Sequence, residues 1–283
     1  MTMTMTETPS GEAPLGFQTF ARMVHDTIGV CIPETKRGMI EARLGARVRA
    51  LGLRDAQDYF RHLFAEGGLR GEMAHIEETV TTNKTDFFRE VDHFNYVKDV
   101  ILDGGYWRNR NGKFKAWSAA ASTGAEPFSL AMLLAEHSIA HPDFDWAVLG
   151  TDISGRVLEH ARRAIYSSNL VEPVPEALRN RYLHEGQNEW AGKSRIVPAL
   201  RKRVQFKKLN LMSQDYDVDF DLDIVFLRNV LIYFDPDDQL TVLRKVGRHL
   251  APGGHLFVGN SESMIVRMPY FRQVAPAIYR KDI

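Results

Sequence analysis

The sequence predicts an α/β chain in two parts: a small all-α domain, then a doubly wound, Rossmann-like sheet carrying a small inserted β-subdomain. Three observations predict it. Up to about residue 80 the apolar residues recur every three or four positions, and no strand pattern interrupts them. From Phe114 onward short β-branched or aromatic runs alternate with amphipathic stretches of ten or more residues, which implies parallel strands joined by right-handed crossovers. One crossover, about 167–203, far exceeds the usual connection of about 2 to 6 residues and contains Pro173, Pro175, Gly186, Gly192 and Pro198.

Taken in order, residues 1–16 (MTMTMTETPSGEAPLG) read as a disordered tail, without the basic and apolar regions of a signal peptide. The all-α domain is placed at 17–80. Phe20, Met23, Val24 and Ile28 share one helical face before a stop at Gly29, and Met39, Ile40, Leu44, Val48 and Leu51 run to a second stop at Gly52. DAQDYFRHLFAEG and GEMAHIEETV supply two more helices. In the remaining domain, 81–283, strands are expected at Phe114–Ala119, Trp146–Thr151, Val204–Leu209, Leu222–Phe226 and His255–Gly259. Between them EPFSLAMLLAEHS, GRVLEHARRAIY and PDDQLTVLRKVGRHL read as helices, and EWAGKSRIV within the long crossover reads as a turn and a strand.

Composition narrows the function. The chain has 283 residues with 36 Lys and Arg against 36 Asp and Glu, and this neutral balance argues against a general nucleic-acid binder. Cys31 is the single cysteine, so no internal disulfide or structural zinc cluster is expected, and a cytoplasmic location follows. No apolar run approaches the roughly 20 residues of a spanning helix, so no direct membrane insertion is expected. Nothing in the pattern requires more than a monomer.

The chemistry gathers at strand ends. The first strand runs into Ala119-Ala120-Ala121-Ser122-Thr123-Gly124-Ala125-Glu126-Pro127 and a helix. Small residues there let a ligand approach the backbone, but the dinucleotide fingerprint is missing and the anionic Glu126 opposes a pyrophosphate. Asp152, 28 residues after Gly124, ends the second strand, where an acid accepts both hydroxyls of an unphosphorylated ribose. Either Asp152 or Ser154 is also suited to cap the following helix. Asn210-Leu211 after the third strand can address an adenine edge and face, and Arg228-Asn229 follows the fourth strand, an apolar run; each pair can equally be a turn. Small-residue turn, Glu126, Asp152 and the lack of a phosphate cradle together describe an S-adenosylmethionine site.

These residues carry a resemblance to a known family. TTNKTDFFRE (81–90), AWSAAASTGAEPFSLAMLL (116–134), TDISGRVLEHARRAIY (151–166), LNL (209–211), FLRNVLIYFD (226–235) and LAPGGHLFVGNSES (250–263) stand in the order found in the chemotaxis receptor glutamate methyltransferases usually called CheR. KRGMIEARLGARVRALGL (36–53) extends the likeness into the helical domain. Ala125, Leu227 and Asn260 depart from the commonest pattern and remove no polar group of the site. The resemblance implies cofactor contacts from Asn83, Thr85, Arg89, Glu126, Asp152, Asn210, Leu211, Arg228 and Asn229, with Arg89 and Tyr233 near the transferring methyl. It implies transfer from S-adenosylmethionine to glutamate carboxylates on the cytoplasmic domain of membrane chemoreceptors, leaving S-adenosylhomocysteine. Such a nucleophile, with a pKa near 4.3, is already ionised at neutral pH and needs no general base. Two alternatives stand beside this reading: a methyltransferase for another substrate, and a cofactor-sensing adaptor that docks on receptors without catalysis.

One charge pattern remains. Residues 36–54 hold Lys36, Arg37, Arg43, Arg47, Arg49 and Arg54 against Glu41, with Lys36, Arg43 and Arg47 on one helical face and Arg49 on a neighbouring one. A solvated face explains most such runs. The resemblance assigns Arg43 and Arg49 to receptor contact, because a basic face steers an acidic helical surface.

Overall fold

The computed structural model describes residues 16–109 and 112–282, so the expected tail lies outside the described residues except for Gly16. The chain separates between Val80 and Thr81 into two units, each with its own core.

The first unit is four helices: α1 (Phe17–Ile28), α2 (Arg37–Ala50), α3 (Ala56–Phe64) and α4 (Leu69–Val80). Gly29 ends α1 at φ 80°, a left-handed conformation that favours glycine, and Asp55 caps α3 by accepting the Asp58 N–H. Phe20, Val24, Ile40, Leu44, Phe60, Leu63 and Ile76 are buried between the helices. Full burial of each such side chain contributes about 1.5–3 kcal/mol. Beneath them a charged group is buried: Glu72 takes a two-pronged bond from Arg47 at 2.8 and 2.6 Å and the Tyr59 hydroxyl at 3.0 Å. The Arg47 bonds come first among the causes that hold its carboxyl below the usual range.

That pairing corrects the charge reading of the basic run. Arg47 faces Glu72 rather than solvent, Arg37 is held by Glu41 and Glu34, and Arg54 by Asp58. Lys36 and Arg49 are exposed and have no acidic partner among the described residues, while exposed Arg43 donates to the Thr79 carbonyl at 2.9 Å.

The second unit opens with α5 (Val91–Tyr96), which runs on as a wider π-type turn over Val97–Leu102. There follow β1 (Phe114–Ser118), α6 (Ala125–Ala140), β2 (Trp146–Asp152), α7 (Gly155–Arg163), β3 (Ile165–Ser167), α8 (Ser168–Val171), α9 (Glu176–Tyr182), β4 (Leu183–Glu185), β5 (Lys193–Ile196), α10 (Pro198–Arg201), β6 (Val204–Lys208), β7 (Leu222–Leu227), α11 (Pro236–His249), β8 (Leu250–Val258), β9 (Phe271–Ala275) and β10 (Ile278–Lys281). The main sheet has the order β6-β2-β1-β7-β8-β10-β9, parallel from β6 to β8. Along β7 the buried residues alternate between faces: Ile224 and Phe226 join the core that holds Phe94 and Phe128, Val225 and Leu227 the core that holds Trp117 and Val242. A strand covered on both sides is an unbroken apolar run for this reason. The inserted small sheet, β3-β5-β4, is antiparallel and lies between α7 and α10 in the chain.

Two local expectations change. The helix read through GRVLEHARRAIY stops at Arg163, because Ala164 turns left-handed at φ 53° and releases Ile165-Tyr166-Ser167 as β3, where Tyr166 is buried and its hydroxyl donates to the Thr123 carbonyl. The sheet is not wholly parallel: β10 and β9 add to β8 as an antiparallel pair.

Candidate active site

The carboxyl ends of β2, β1 and β7 and the turn after β6 share one edge of the main sheet. From β1 the chain winds to β2 and later β6 on one side, then crosses to β7 on the other, so the winding reverses between β1 and β7. Ligands of open α/β sheets bind in the crevice at such a reversal.

Asp152 is buried at the end of β2, where it accepts the Ser122 N–H on Oδ2 at 2.9 Å and the Ser154 N–H on Oδ1 at 3.0 Å. The cap of α7 is Ser154, whose Oγ accepts the Val157 N–H at 3.4 Å, so Asp152 is released from the capping duty that the sequence left open. Burial pushes the Asp152 carboxyl up and the bonds from Ser154 and Ser122 oppose it. A carboxylate has about four lone-pair directions, and the N–H groups of Ser122, Ser154 and Ile153 leave it capacity for a further hydroxyl. Ser122 also donates to the Asn83 carbonyl at 2.8 Å, which ties the strap 83–90 to the β1 turn. Gly124, at φ 92° and opening α6, is required by close approach, since a Cβ there meets Ala161 and the Tyr166 hydroxyl at 2.9 Å.

Across the reversal, Arg228 is a buried hub. Its Nε donates to Glu126 Oε2 at 2.8 Å, one terminal nitrogen lies 2.8 Å from His93 Nδ1, and the other donates to the Arg89 carbonyl at 2.7 Å. Its guanidinium also lies over the Phe226 and Phe94 rings. Burial first, and the Arg228 charge second, push the His93 imidazole down to about 4. His93 is therefore neutral at physiological pH, and because a guanidinium only donates, Nδ1 accepts and the proton sits on Nε2. The other Glu126 oxygen accepts from Ser118 Oγ at 2.7 Å.

Arg89 lies on the strap before α5, between Phe88 at φ 51° and Glu90 at φ 57°, and its guanidinium reaches the Lys84 carbonyl at 3.3 Å. Asn229, at φ 56°, donates from its side chain to Glu90 Oε1 at 3.3 Å. Asn210 Oδ1 accepts the Met212 N–H at 2.9 Å and thus forms a turn, while Leu211 is buried in the core with Trp117. Thr85 and Tyr233 are half-buried, Tyr233 closing a 3₁₀ turn over Leu231–Tyr233. Direct contacts therefore join Arg228 to Glu126 and the Arg89 backbone, Asn229 to Glu90, and Asn83 through Ser122 to Asp152. Thr85, Asn210, Leu211 and Tyr233 sit on segments that reach the same edge, and Arg43 and Arg49 belong to the helical unit.

The donor set fits a cationic, unphosphorylated nucleoside. Glu126 and Glu90 outnumber Arg228 around the hub, and Glu90 Oε2, 3.7 Å from an Arg228 nitrogen, is buried without a hydrogen-bond partner. Arg228 is the positive charge beside that oxygen, which keeps hydrogen-bonding capacity for a further donor. Glu90, His93 and Ser118 were not singled out in the sequence; the adjacency of Glu90 to Arg89 was the available signal for the first, and none marked the other two.

Comparison with known proteins agrees. Residues 83–279 match the family described as CheR methyltransferase, SAM binding domain, and residues 15–81 the CheR methyltransferase, all-alpha domain. Chemotaxis protein methyltransferase 2 of Pseudomonas aeruginosa is 35% identical over 93% of this chain and 91% of its own. The chemotaxis protein methyltransferase of Escherichia coli K12 is 37% identical over 87% of this chain and 84% of its own. Two domain matches in sequence order, meeting within a few residues of the division between Val80 and Thr81, show that the chain belongs to the CheR family of methyltransferases that use S-adenosylmethionine.

Proposed function

We propose that the protein transfers the methyl of S-adenosylmethionine to glutamate side chains on the cytoplasmic domain of chemoreceptors, forming methyl esters in chemotactic adaptation. The observation that carries the reading is the edge on which ribose-suited Asp152 and the acid-rich hub around Arg228 flank the β1 turn, in a chain of this family. The cofactor, when bound, supplies a methyl made electrophilic by its sulfonium. Asp152 holds the ribose, with Asn210 and Leu211 at the adenine. Glu126 and Glu90 complement the cationic end, and Asn83, Thr85, Arg89, Arg228 and Asn229 complete the methionine side. Tyr233 aligns the incoming carboxylate. Because that carboxylate is already ionised, these side chains position it and exclude water, and neither Arg89 nor Tyr233 exchanges a proton.

Incubation with labelled donor and receptor-rich membranes is expected to give label that base releases as methanol. Base-stable label would remove the glutamate assignment, and no transfer at all would leave a non-catalytic adaptor.

Exposed Arg43 and Arg49 on α2 support recognition of an acidic helical surface. Arg49→Glu, alone or with Arg43→Glu, is expected to lower receptor kcat/KM about tenfold at low salt, with cofactor affinity unchanged. Arg49→Glu alone is the cleaner probe, because Arg43 also holds the end of α4 through the Thr79 carbonyl. Loss of cofactor affinity in step with activity would show a folding defect instead.

A further inference from the structure

We infer that Glu262, outside the cofactor and substrate contacts above, is the positioning residue for the loop that carries Asn229 and Tyr233. Glu262 lies on a 3₁₀ turn, Asn260–Ile265, immediately after β8, the parallel neighbour of β7. It is fully buried, and no lysine, arginine or histidine forms a salt bridge to it among the described residues. Its carboxylate instead collects backbone N–H groups. Oε2 accepts from Gly259 at 2.7 Å and from Asn229 at 2.8 Å, and Oε1 accepts from Ile232 at 3.3 Å. Burial pushes this carboxyl up, and the N–H groups of Gly259, Asn229, Ile232 and Leu231 oppose it.

The donors show what the carboxylate does. Asn229 holds a left-handed conformation at φ 56°, which asparagine tolerates better than most residues, and the bond from its N–H to Glu262 fixes it there; Leu231 and Ile232 belong to the turn that ends in Tyr233. An acid that accepts the Asn229 and Ile232 N–H groups of one loop, with the Leu231 N–H also turned toward it, fixes that loop's path. Gly259 is part of the same fit, because a Cβ there meets Asn229 Nδ2 at 2.5 Å and Glu262 Oε2 at 2.7 Å. An apolar core residue at 262 could fill the space, but it could not orient Asn229 and Tyr233. Burying a charge to tie backbone donors is warranted where geometry within about 0.5 Å matters, as at a methyl-transfer centre.

The inference rests on the assignment of Tyr233 to the transfer step, and a double-mutant cycle separates the two. Glu262→Gln is isosteric but turns an amide N–H toward backbone donors. Methyl transfer by Glu262→Gln is expected to lose about tenfold to a hundredfold in kcat, more than any change in receptor KM, at a temperature where circular dichroism shows full folding. In a Tyr233→Phe background the same substitution is expected to cost distinctly less, the remainder being the part that runs through Asn229. Glu262→Asp, which keeps the charge, is expected to recover part of the loss. Full activity in folded Glu262→Gln, or an equal fold-loss in both backgrounds, would overturn the positioning role. If Tyr233→Phe alone keeps wild-type kcat, the Tyr233 assignment fails, and the inference that Glu262 positions Tyr233 fails with it; a kcat loss in Glu262→Gln would then have to run through Asn229, which an Asn229→Ala background tests in the same way.

Discussion

Arg228→Met is expected to destabilise the methyltransferase unit by about 3–5 kcal/mol, read as a lower urea midpoint, and to abolish measurable cofactor binding. The magnitude comes from what the side chain leaves behind. Glu126 keeps only the Ser118 hydroxyl, Glu90 loses its nearest positive charge, and the Arg89 carbonyl and His93 Nδ1 lose their donors. Breaking a buried ion pair from one side costs more than replacing both members, because the remaining charge stays desolvated. Arg228→Lys is the sharper control. A lysine keeps the charge but not the planar fork, so stability should partly return while cofactor affinity does not. A wild-type urea midpoint in Arg228→Met would show that the hub contributes nothing to stability.

The second large effect is expected at Asp152. Asp152→Asn retains one carbonyl oxygen for a backbone N–H but removes the charge that a ribose hydroxyl would meet. Hydrogen bonds to a charged group contribute about 1.5–3 kcal/mol each, so a loss of cofactor affinity of about a hundredfold is expected by calorimetry. Melting temperature should also fall by a few degrees, since α7 keeps its Ser154 cap but either the Ser122 or the Ser154 N–H loses its acceptor. An unchanged dissociation constant would place the ribose elsewhere on the edge.

Candidate site residues were legible in the sequence where a polar group coincides with periodicity. Asp152 and Arg228 stand at the ends of apolar runs, so both strand ends and their polar groups were readable together. Glu262 and His93 were not, because each acts through a contact made by the fold: one collects the N–H groups of a loop thirty-odd positions earlier, the other meets a guanidinium 135 positions later. The basic run on 36–54 was legible as charge and as surface, but not as pairing, since the acid that holds Arg47 lies on α4. Ala164 ended a helix against its own propensity because Tyr166 is worth more in the core under the β1 turn. The β9–β10 pair escaped notice for a different reason. Its strands are short and divided by Pro276, and their pairing is decided by the free side of β8, a property no local window contains.

The order of the main sheet has a consequence for behaviour in concentrated solution. Its two outer strands are β6 and β9, and an outer strand offers unpaired peptide groups to any other extended chain. Lys207 and Lys208 stand on β6, and Arg272 is exposed on β9, tethered to Asp282. Each border thus carries charged side chains, Lys207 paired with Asp217 and Arg272 with Asp282, which a docking strand would have to desolvate. The hairpin that made the sheet mixed also hides β8, whose buried run of Leu256, Phe257 and Val258 would otherwise form a sticky, fibre-prone margin.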